Sequence, residues 1–129
     1  MSWHVRLLAR RVLYTRHPPV SLFDVHISEG PLGPVAALSG EVDLSVAEAV
    51  EERLRTTLSD EPGVLVLDLR EVEFLDSSGL RVVLSLDRDQ RDRGGRLVVV
   101  RGGRRVARVM ELTGADRQLE MVDDPAEIA

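Results

Sequence analysis

The segment Val64-Leu65-Val66-Leu67-Asp68-Leu69 constrains the fold of this chain more than any other part of the sequence. It is a nearly continuous apolar run that follows the chain-breaking pair Pro62-Gly63. An apolar run of this length without polar alternation is typical of a strand that is buried on both faces. We therefore expect residues 64–69 to form a central strand of a layered domain.

The segments around this strand predict an alternation of strands and helices. A two-residue period over 23–28, turn residues, and an apolar run over 35–38 predict an antiparallel hairpin. Other patterns predict helices over 46–58, from Asp76-Ser77-Ser78-Gly79 to Gly94-Gly95, and over 104–113, with short strands over 97–100 and 119–122. This order predicts an α/β fold: a mixed, mostly parallel sheet of about four to five strands, with α-helices packed on it.

Several side chains at the ends of these helices have predicted local roles. Ser45, with Glu48 three residues later, predicts a capping box, and Gly114 predicts a C-cap. In the second helix, two aspartates each precede an arginine by four residues, which predicts surface ion pairs: Asp87 with Arg91, and Asp89 with Arg93. Arg104 and Arg105 open the third helix, and we interpret them as solvated surface rather than as a partner or phosphate contact.

The length and charge distribution indicate one domain with a basic extension. A chain of 129 residues fits a single domain, which we place at 21–129, after His17-Pro18-Pro19. Residues 1–20 carry four arginines and no acidic residue. We expect this extension to be poorly ordered, or to be extra sequence from an upstream start codon; an amphipathic tether is the alternative.

Composition excludes several classes of function. The sequence has no Cys, and all 17 basic residues are Arg, so thiol chemistry, Schiff-base lysines and a P-loop are absent. Residues 21–129 carry 13 Arg against 22 Asp and Glu, a charge of −9 that disfavours nucleic-acid binding. No signal peptide or membrane span is evident, so we expect a cytoplasmic protein without membrane association. We also expect no cofactor and no metal.

Asp76-Ser77-Ser78-Gly79 is the segment best suited to a regulatory or chemical role. It places two hydroxyls at a helix N-terminus, beside amide groups that favour an anion. A phosphate there would add about −1.5 to −2 charges next to Asp76. On spacing alone, a phosphorylation switch and a plain helix cap are equally consistent with this segment. A serine hydrolase is disfavoured because Gly-x-Ser-x-Gly is absent and only His26 could serve as the base.

Four acidic residues near the predicted strand ends could also gather around a cation. Glu41, Asp43, Asp68 and Asp76 have the oxygen ligands that hard cations prefer. Helix capping and loop solvation explain Glu41, Asp43 and Asp68 without a ligand, and we prefer that interpretation.

Three segments together resemble the anti-sigma-factor antagonists, which are stand-alone STAS-domain proteins. These are Leu38-Ser39-Gly40-Glu41-Val42-Asp43, then Phe74-Leu75-Asp76-Ser77-Ser78-Gly79-Leu80 preceded by Val66-Leu67-Asp68-Leu69, and Met110 to Arg117. The resemblance covers about residues 22–124 and implies a single STAS-like domain. The arginine-rich extension is not part of the family pattern.

The resemblance also implies a function. Unmodified, such a protein binds an anti-sigma factor that is a serine kinase, and so releases the sigma factor; phosphorylation at the first serine, here Ser77, ends binding, and a serine phosphatase restores it. Ser77 would then be a substrate and not a catalytic residue. The residues implied for partner binding are Glu41, Asp43, Ser45, Asp76, Ser77, Ser78, Gly79 and Leu80. The alternative is a non-switching STAS scaffold subunit of a lipid-transport or stressosome-like assembly.

Overall fold

The computed structural model describes residues 2–8, 22–58 and 63–128. The strands are β1 (Ser2–Leu8), β2 (Leu22–Glu29), β3 (Pro34–Val42), β4 (Val64–Leu75), β5 (Arg96–Val100) and β6 (Glu120–Val122). The helices are α1 (Leu44–Thr56), α2 (Ser77–Asp92), α3 (Arg104–Thr113) and α4 (Ala115–Gln118), and a 3₁₀ turn covers Pro125–Glu127.

The strands form one mixed sheet in the order β1-β2-β3-β4-β5-β6. β1, β2 and β3 pair antiparallel, whereas β3, β4, β5 and β6 pair parallel. Strands β2 to β6 are the five that the sequence predicted, so the mixed and mostly parallel α/β fold is confirmed. β4 lies between β3 and β5, which confirms that residues 64–69 are central in the sheet.

Strand β1 was not predicted. Ser2–Leu8 lie in the segment that we assigned to the N-terminal extension, and they pair with β2 over the full register from Ser2↔Ser28 to Leu8↔Leu22. The sequence pattern did not indicate this strand, and the expected poor order of the extension stays a prediction. Residues 9–21 lie outside the described residues, and the domain boundary near residue 21 stays a prediction.

The core lies between the sheet and the helices. In β4, successive residues point to opposite faces, and Leu65 to Leu69 are all at most 9% exposed, as predicted for a strand buried on both faces. Most of the apolar positions that predicted the helices are buried against the sheet: Val46, Val50 and Leu54 of α1; Leu80, Val83 and Leu86 of α2; Val106 and Met110 of α3. Three further predicted positions, Leu58, Leu84 and Val109, are only partly buried. Gly114 ends α3 with φ = 80°, which confirms the predicted C-cap.

β3 and β4 extend together beyond the predicted segments. Leu69, Val72 and Leu75 of β4 are buried at a spacing of three residues rather than two. The β3–β4 register shifts twice in this region, at Ala37/Ser39 and at Gly40/Glu41. Gly40 has φ = 91°, a conformation that β-bulges often require of glycine. A two-residue period could not predict this extension, because the bulges change which residues face the core.

The charged half of α2 differs in part from its prediction. Asp87 pairs with Arg91 as predicted, but its side chain is buried, and Arg91 also donates to the carbonyl oxygen of Gln118 at 2.6 Å. The pair therefore joins α2 to α4 instead of lying on open surface. Asp89 pairs with Arg55 of α1, a contact between helices that spacing within α2 could not predict.

Candidate functional site

The candidate site lies where β3 and β4 end side by side. Their last residues, Val42 and Leu75, are register partners, and each strand continues through one aspartate into a helix. Asp43 is the N-cap of α1 and Asp76 is the N-cap of α2. The parallel pairing of the two strands therefore brings two helix N-termini and two carboxylates to one edge of the sheet.

Asp76 contacts both helices. Its Oδ1 accepts hydrogen bonds from the amides of Ser78 (2.8 Å) and Gly79 (3.1 Å), and its Oδ2 accepts one from the amide of Leu44 (3.1 Å) in the first turn of α1. Its own amide donates to Val42 O at 3.2 Å. One side chain thus satisfies amide groups at the start of two helices, which have no partner within their helices.

Asp76 caps α2, the role that the sequence left open beside a phosphorylation switch, so three amides in the first turn of α2 are already bonded. The Ser78 and Gly79 amides donate to the side chain of Asp76, and that of Leu80 donates to its main-chain oxygen at 2.9 Å. A carboxylate of the chain already occupies the position that an anion would take. A phosphate on Ser77 would meet this carboxylate.

The first helix begins one residue after Asp43, so Ser45 is not its N-cap as predicted. Asp43 has the extended backbone of a cap (φ = −118°), and its Oδ1 accepts from the Ser45 amide at 3.0 Å and the Ser45 hydroxyl at 2.6 Å. Glu48 therefore lies at the fifth helical position, out of place for a capping box. The capping role that we preferred is confirmed for Asp43.

Gly79 lets α2 approach the end of β3 closely. A Cβ atom at this position would lie 2.7 Å from Val42 O and 2.5 Å from Leu75 Cδ1. Both distances are shorter than a carbon atom tolerates, so a side chain would push α2 away from the strands. The glycine thus maintains the separation at which Asp76 reaches Leu44.

The residues predicted for partner binding divide by exposure. Glu41, Ser45 and Ser77 are exposed, and Asp43, Asp76 and Ser78 are intermediate. Gly79 and Leu80 are buried, with Leu80 only 6% exposed in the core. Leu80 therefore has no side-chain surface to offer a partner, and Gly79 contributes through position.

Two exposed apolar side chains at this edge were not singled out from the sequence. Leu44, the first residue of α1, is 74% exposed, and Phe74, the register partner of Glu41, is 42% exposed. The sequence carried a signal for Leu44: it is out of phase with Val46, Val50 and Leu54, which face the core. An apolar residue outside the buried stripe of an amphipathic helix is a candidate for contact with a partner.

His26, the base that a hydrolase would need, and Asp68, a candidate cation ligand, both lie away from the strand ends at Asp76. His26 is in register with Ala37 of β3, which in turn pairs with Asp68, seven residues before the end of β4. At about 3.3 Å per residue, His26 is about 20 Å from Ser77, too far to act as its base. Asp68 pairs with Arg70, and no group of three potential metal ligands occurs in residues 2–8, 22–58 and 63–128.

Farther along the helices, Arg55 links α1 to α2. It hydrogen-bonds Glu51 (2.9 Å) on its own helix and Ser85 (2.8 Å) on α2, and it forms the ion pair with Asp89. Partial burial works against the charged form, but the bonds to the carboxylates prevail and raise the pKa of the Arg55 guanidinium. The two helices are thus joined by Asp76 at one end and by Arg55 at the other.

Comparison with known families identifies this arrangement. The family described as "Mlab, STAS domain" matches residues 25–123, which span β2 to β6 and include the whole candidate site. The chain belongs to the STAS domain family. The single STAS-like domain expected from the sequence is therefore confirmed, and the matched segment contains β3 to β6 and most of β2.

Curated STAS relatives are anti-sigma factor antagonists. The anti-sigma-F factor antagonist RsfB of Mycobacterium tuberculosis is 34% identical over 87 residues, covering 67% of this chain and 70% of the relative. The anti-sigma-B factor antagonist of Listeria monocytogenes is 34% identical over 84 residues, covering 65% and 74%. An anti-sigma factor antagonist from Mycobacterium paratuberculosis has a similar crystal structure, with a TM-score of 0.74 and 28% identity over 81% of this chain and 89% of that one.

None of the helices in the described part of the chain is long and apolar enough to cross a bilayer.

Proposed function

We propose that this protein is an anti-sigma factor antagonist that is controlled at Ser77. With Ser77 unmodified, it binds an anti-sigma factor that is a serine kinase, and binding releases the sigma factor. Phosphorylation of Ser77 ends the interaction, and a serine phosphatase restores it. The observation that carries the proposal is the position of Ser77: an exposed hydroxyl directly after Asp76, whose carboxylate holds the start of α2.

Accessibility favours Ser77 over Ser78 as the phosphorylated residue. Ser77 is exposed at the first position of α2, whereas Ser78 is half-buried, its side chain lining the space between the helices. A kinase must bring a serine hydroxyl into line with the γ-phosphate of ATP, which a side chain at an exposed helix start permits. In the transfer, the Ser77 oxygen bonds to the γ-phosphorus, the bridging bond to ADP breaks, and the hydroxyl proton passes to a general base of the kinase.

Electrostatics explains why the phosphorylated form would release its partner. Asp76 already accepts from the Ser78 and Gly79 amides, so a phosphate on Ser77 gains few new donors from the helix start. It adds about −1.5 to −2 charges beside an existing carboxylate. A tenfold loss of affinity needs only about 1.4 kcal/mol, and an unpaired dianion buried in an interface costs more than that.

Relatives support the partner class. Proteins about one-third identical to this chain are anti-sigma-F and anti-sigma-B factor antagonists. We propose the cytoplasm as the location, because kinase, ATP and sigma factor are all found there. On this proposal the protein is a substrate and binding partner, with no catalytic activity of its own.

A capture experiment with three matched baits tests the proposal. Wild-type, Ser77→Ala and Ser77→Asp proteins are used as baits in lysate of the source cell, and the bound proteins are identified by mass spectrometry. The captured kinase is then purified and incubated with the wild type, Ser77→Ala and Ser78→Ala in the presence of MgATP. We expect an anti-sigma kinase on wild type and Ser77→Ala but not on Ser77→Asp, and phosphorylation of wild type and Ser78→Ala but not of Ser77→Ala.

Other outcomes would reject the switch. Retention of one large assembly by all three baits would favour the non-switching scaffold. Phosphate on Ser77→Ala at the wild-type rate would place the modification elsewhere. Labelling of Ser77 in the folded protein by an active-serine reagent would instead support the hydrolase.

A further inference from the structure

The helices α1 and α2 enclose a groove that starts beside Ser77. Its volume is about 460 Å³, enough to take one or two side chains. Ala47 and Val82, which are 8% and 6% exposed, form its apolar floor. The other lining residues are Leu44, Glu48 and Glu51 of α1, and Ser78, Arg81 and Ser85 of α2.

The two ends of the groove differ: one is held by the contacts of Arg55, and the other lies at the candidate site. Arg55 bonds Glu51 on one wall and Ser85 on the other, which holds the helices together at the end remote from Ser77. Leu44 and Ser78 line the opposite end, and the Asp76 carboxylate accepts from the amides of both. The groove therefore continues the surface around Ser77, and its shape is set by contacts at both ends.

Two opposite charges on the walls have no partner among the residues that the structure describes. Glu48 of α1 and Arg81 of α2 are both exposed. Neither forms an ion pair or side-chain hydrogen bond with another residue in the described part of the chain. Glu51, one turn away from Glu48, is by contrast paired with Arg55. An unpaired acid and an unpaired base beside an apolar floor favour an occupant that carries complementary charges around an apolar side chain.

Leu44 is the strongest anchor on this surface. It is 74% exposed. The cap at Asp43 and the buried side chains of Val46, Val50 and Leu54 already stabilise α1, so the helix does not need a leucine at position 44. Its backbone is fixed by the bond to Asp76, so a partner would order little that is not already ordered. An exposed leucine on a fixed backbone beside a groove is a candidate apolar contact for a partner.

We propose that Leu44 and the α1–α2 groove form a second docking element for the same anti-sigma partner. A segment of the partner places an apolar side chain over Ala47 and Val82, with an acidic group at Arg81 and a basic group at Glu48. This inference rests on the proposed function and extends it. A partner that contacted only Ser77 and its neighbours would bind equally well without Leu44 and the groove wall of α1. The groove supplies affinity in the unmodified state, and the phosphate on Ser77 acts next to it.

Matched variants separate the groove from the rest of the surface. Leu44→Ala is paired with Leu112→Ala, because Leu112 is 71% exposed and lies on α3, outside both helices of the groove. Arg81→Glu is paired with Arg108→Glu, because both arginines are exposed and occupy the fifth position of their helices. Each pair makes the same change in apolar surface or net charge, so only location differs.

The probe is the purified anti-sigma kinase identified with the Ser77 baits, titrated calorimetrically against each folded variant. Urea midpoints confirm that all four variants are folded. We expect Leu44→Ala and Arg81→Glu each to weaken binding about tenfold or more, and Leu112→Ala and Arg108→Glu to stay within about twofold of wild type.

The failure of this inference differs from the failure of the proposed function. If wild type and Ser77→Ala bind, phosphorylated wild type does not, and the groove variants bind like wild type, the groove is not a docking element and the switch stands. Equal losses in the α3 controls would show a general charge or surface effect, and would also reject the groove. If wild type binds no anti-sigma kinase, both proposals fall.

Discussion

Asp76 Oδ2 accepts a hydrogen bond of 3.1 Å from the backbone amide of Leu44, which lies 32 residues earlier in the chain. The same carboxylate caps α2 through Ser78 and Gly79. One side chain therefore sets the position of α1 relative to α2 at the edge where Ser77 is exposed. A charge placed on Ser77 would act directly on the group that holds both helices.

Replacing Asp76 by Asn separates these two roles. The Asn oxygen can still accept from the Ser78 and Gly79 amides, but its NH₂ group then faces the Leu44 amide, donor against donor. We expect the free energy of unfolding to fall by about 1–2 kcal/mol, the cost of an unsatisfied hydrogen-bonding group. Asp76→Ala, which removes all three bonds, should cost more than Asp76→Asn. Urea unfolding measures both, and equal stability of Asp76→Asn and wild type would show that the Leu44 bond contributes nothing.

Gly79→Ala tests the close approach of α2 to the strands. Alanine has the higher helix propensity, by about 1 kcal/mol, and would stabilise α2 if there were room. Its Cβ would instead lie 2.7 Å from Val42 O, so we expect a net loss of about 1–3 kcal/mol. Gly63→Ala is the control, because no atom lies within 4 Å of a Cβ there and we expect little change. Thermal unfolding of the two variants side by side should give a lower midpoint for Gly79→Ala only.

Five strands and three helices could be predicted because their apolar residues keep a regular period. Val46, Val50 and Leu54 repeat every four residues, and the run from Val64 to Leu69 is unbroken. The same reasoning failed where the period breaks. Leu69, Val72 and Leu75 are spaced by three because bulges interrupt the β3–β4 register, so the second half of β4 was not predicted as strand.

The candidate site could be predicted only in part. Asp76 and Ser77 were identified because they lie beside each other in sequence, at the start of a helix. The contact from Asp76 to Leu44 depends on which strands are neighbours, and no local pattern encodes it. Ser45 was chosen as N-cap because Glu48 completes a capping box, but Asp43 binds the amide of Ser45 and outcompetes it. Asp43 and Ser45 are competing candidates for the N-cap of α1, and the end of β3 at Val42 decides in favour of Asp43.

Glu120 predicts a dependence of stability on pH. Its hydrogen bonds with Arg96, one of them 2.7 Å long, join β6 to β5 and lower the pKa of the Glu120 carboxyl, although partial burial opposes this. The folded-state pKa is below the unfolded one, so the contribution is complete above the unfolded value and is lost as the pH falls through the folded value. We expect Glu120→Gln to be slightly less stable than wild type at pH 7 and equally stable near pH 2.

The matched control for this pH effect is Glu111→Gln, since Glu111 is exposed on α3 and its side chain forms no ion pair with the described residues. Urea midpoints from pH 2 to pH 7 should converge for Glu120→Gln and wild type as the pH falls, while Glu111→Gln follows wild type throughout. A constant difference for Glu120→Gln at every pH would mean that packing, not charge, accounts for it.

Leu67→Ala distinguishes loss of fold from loss of contact. Leu67 is fully buried in β4, far from any surface that a partner could reach. Its truncation leaves a core cavity, and we expect a loss of about 2–5 kcal/mol, a large share of the roughly 5–15 kcal/mol that stabilises a domain of this size. Leu112→Ala removes the same atoms from a 71% exposed position and should change stability by less than about 0.5 kcal/mol. If Leu67→Ala binds a partner less well, the deficit should follow its unfolded fraction as temperature rises, as measured by circular dichroism on the same samples. A binding defect in fully folded Leu67→Ala would mean instead that the core position of β4 sets the geometry of the Asp76 edge.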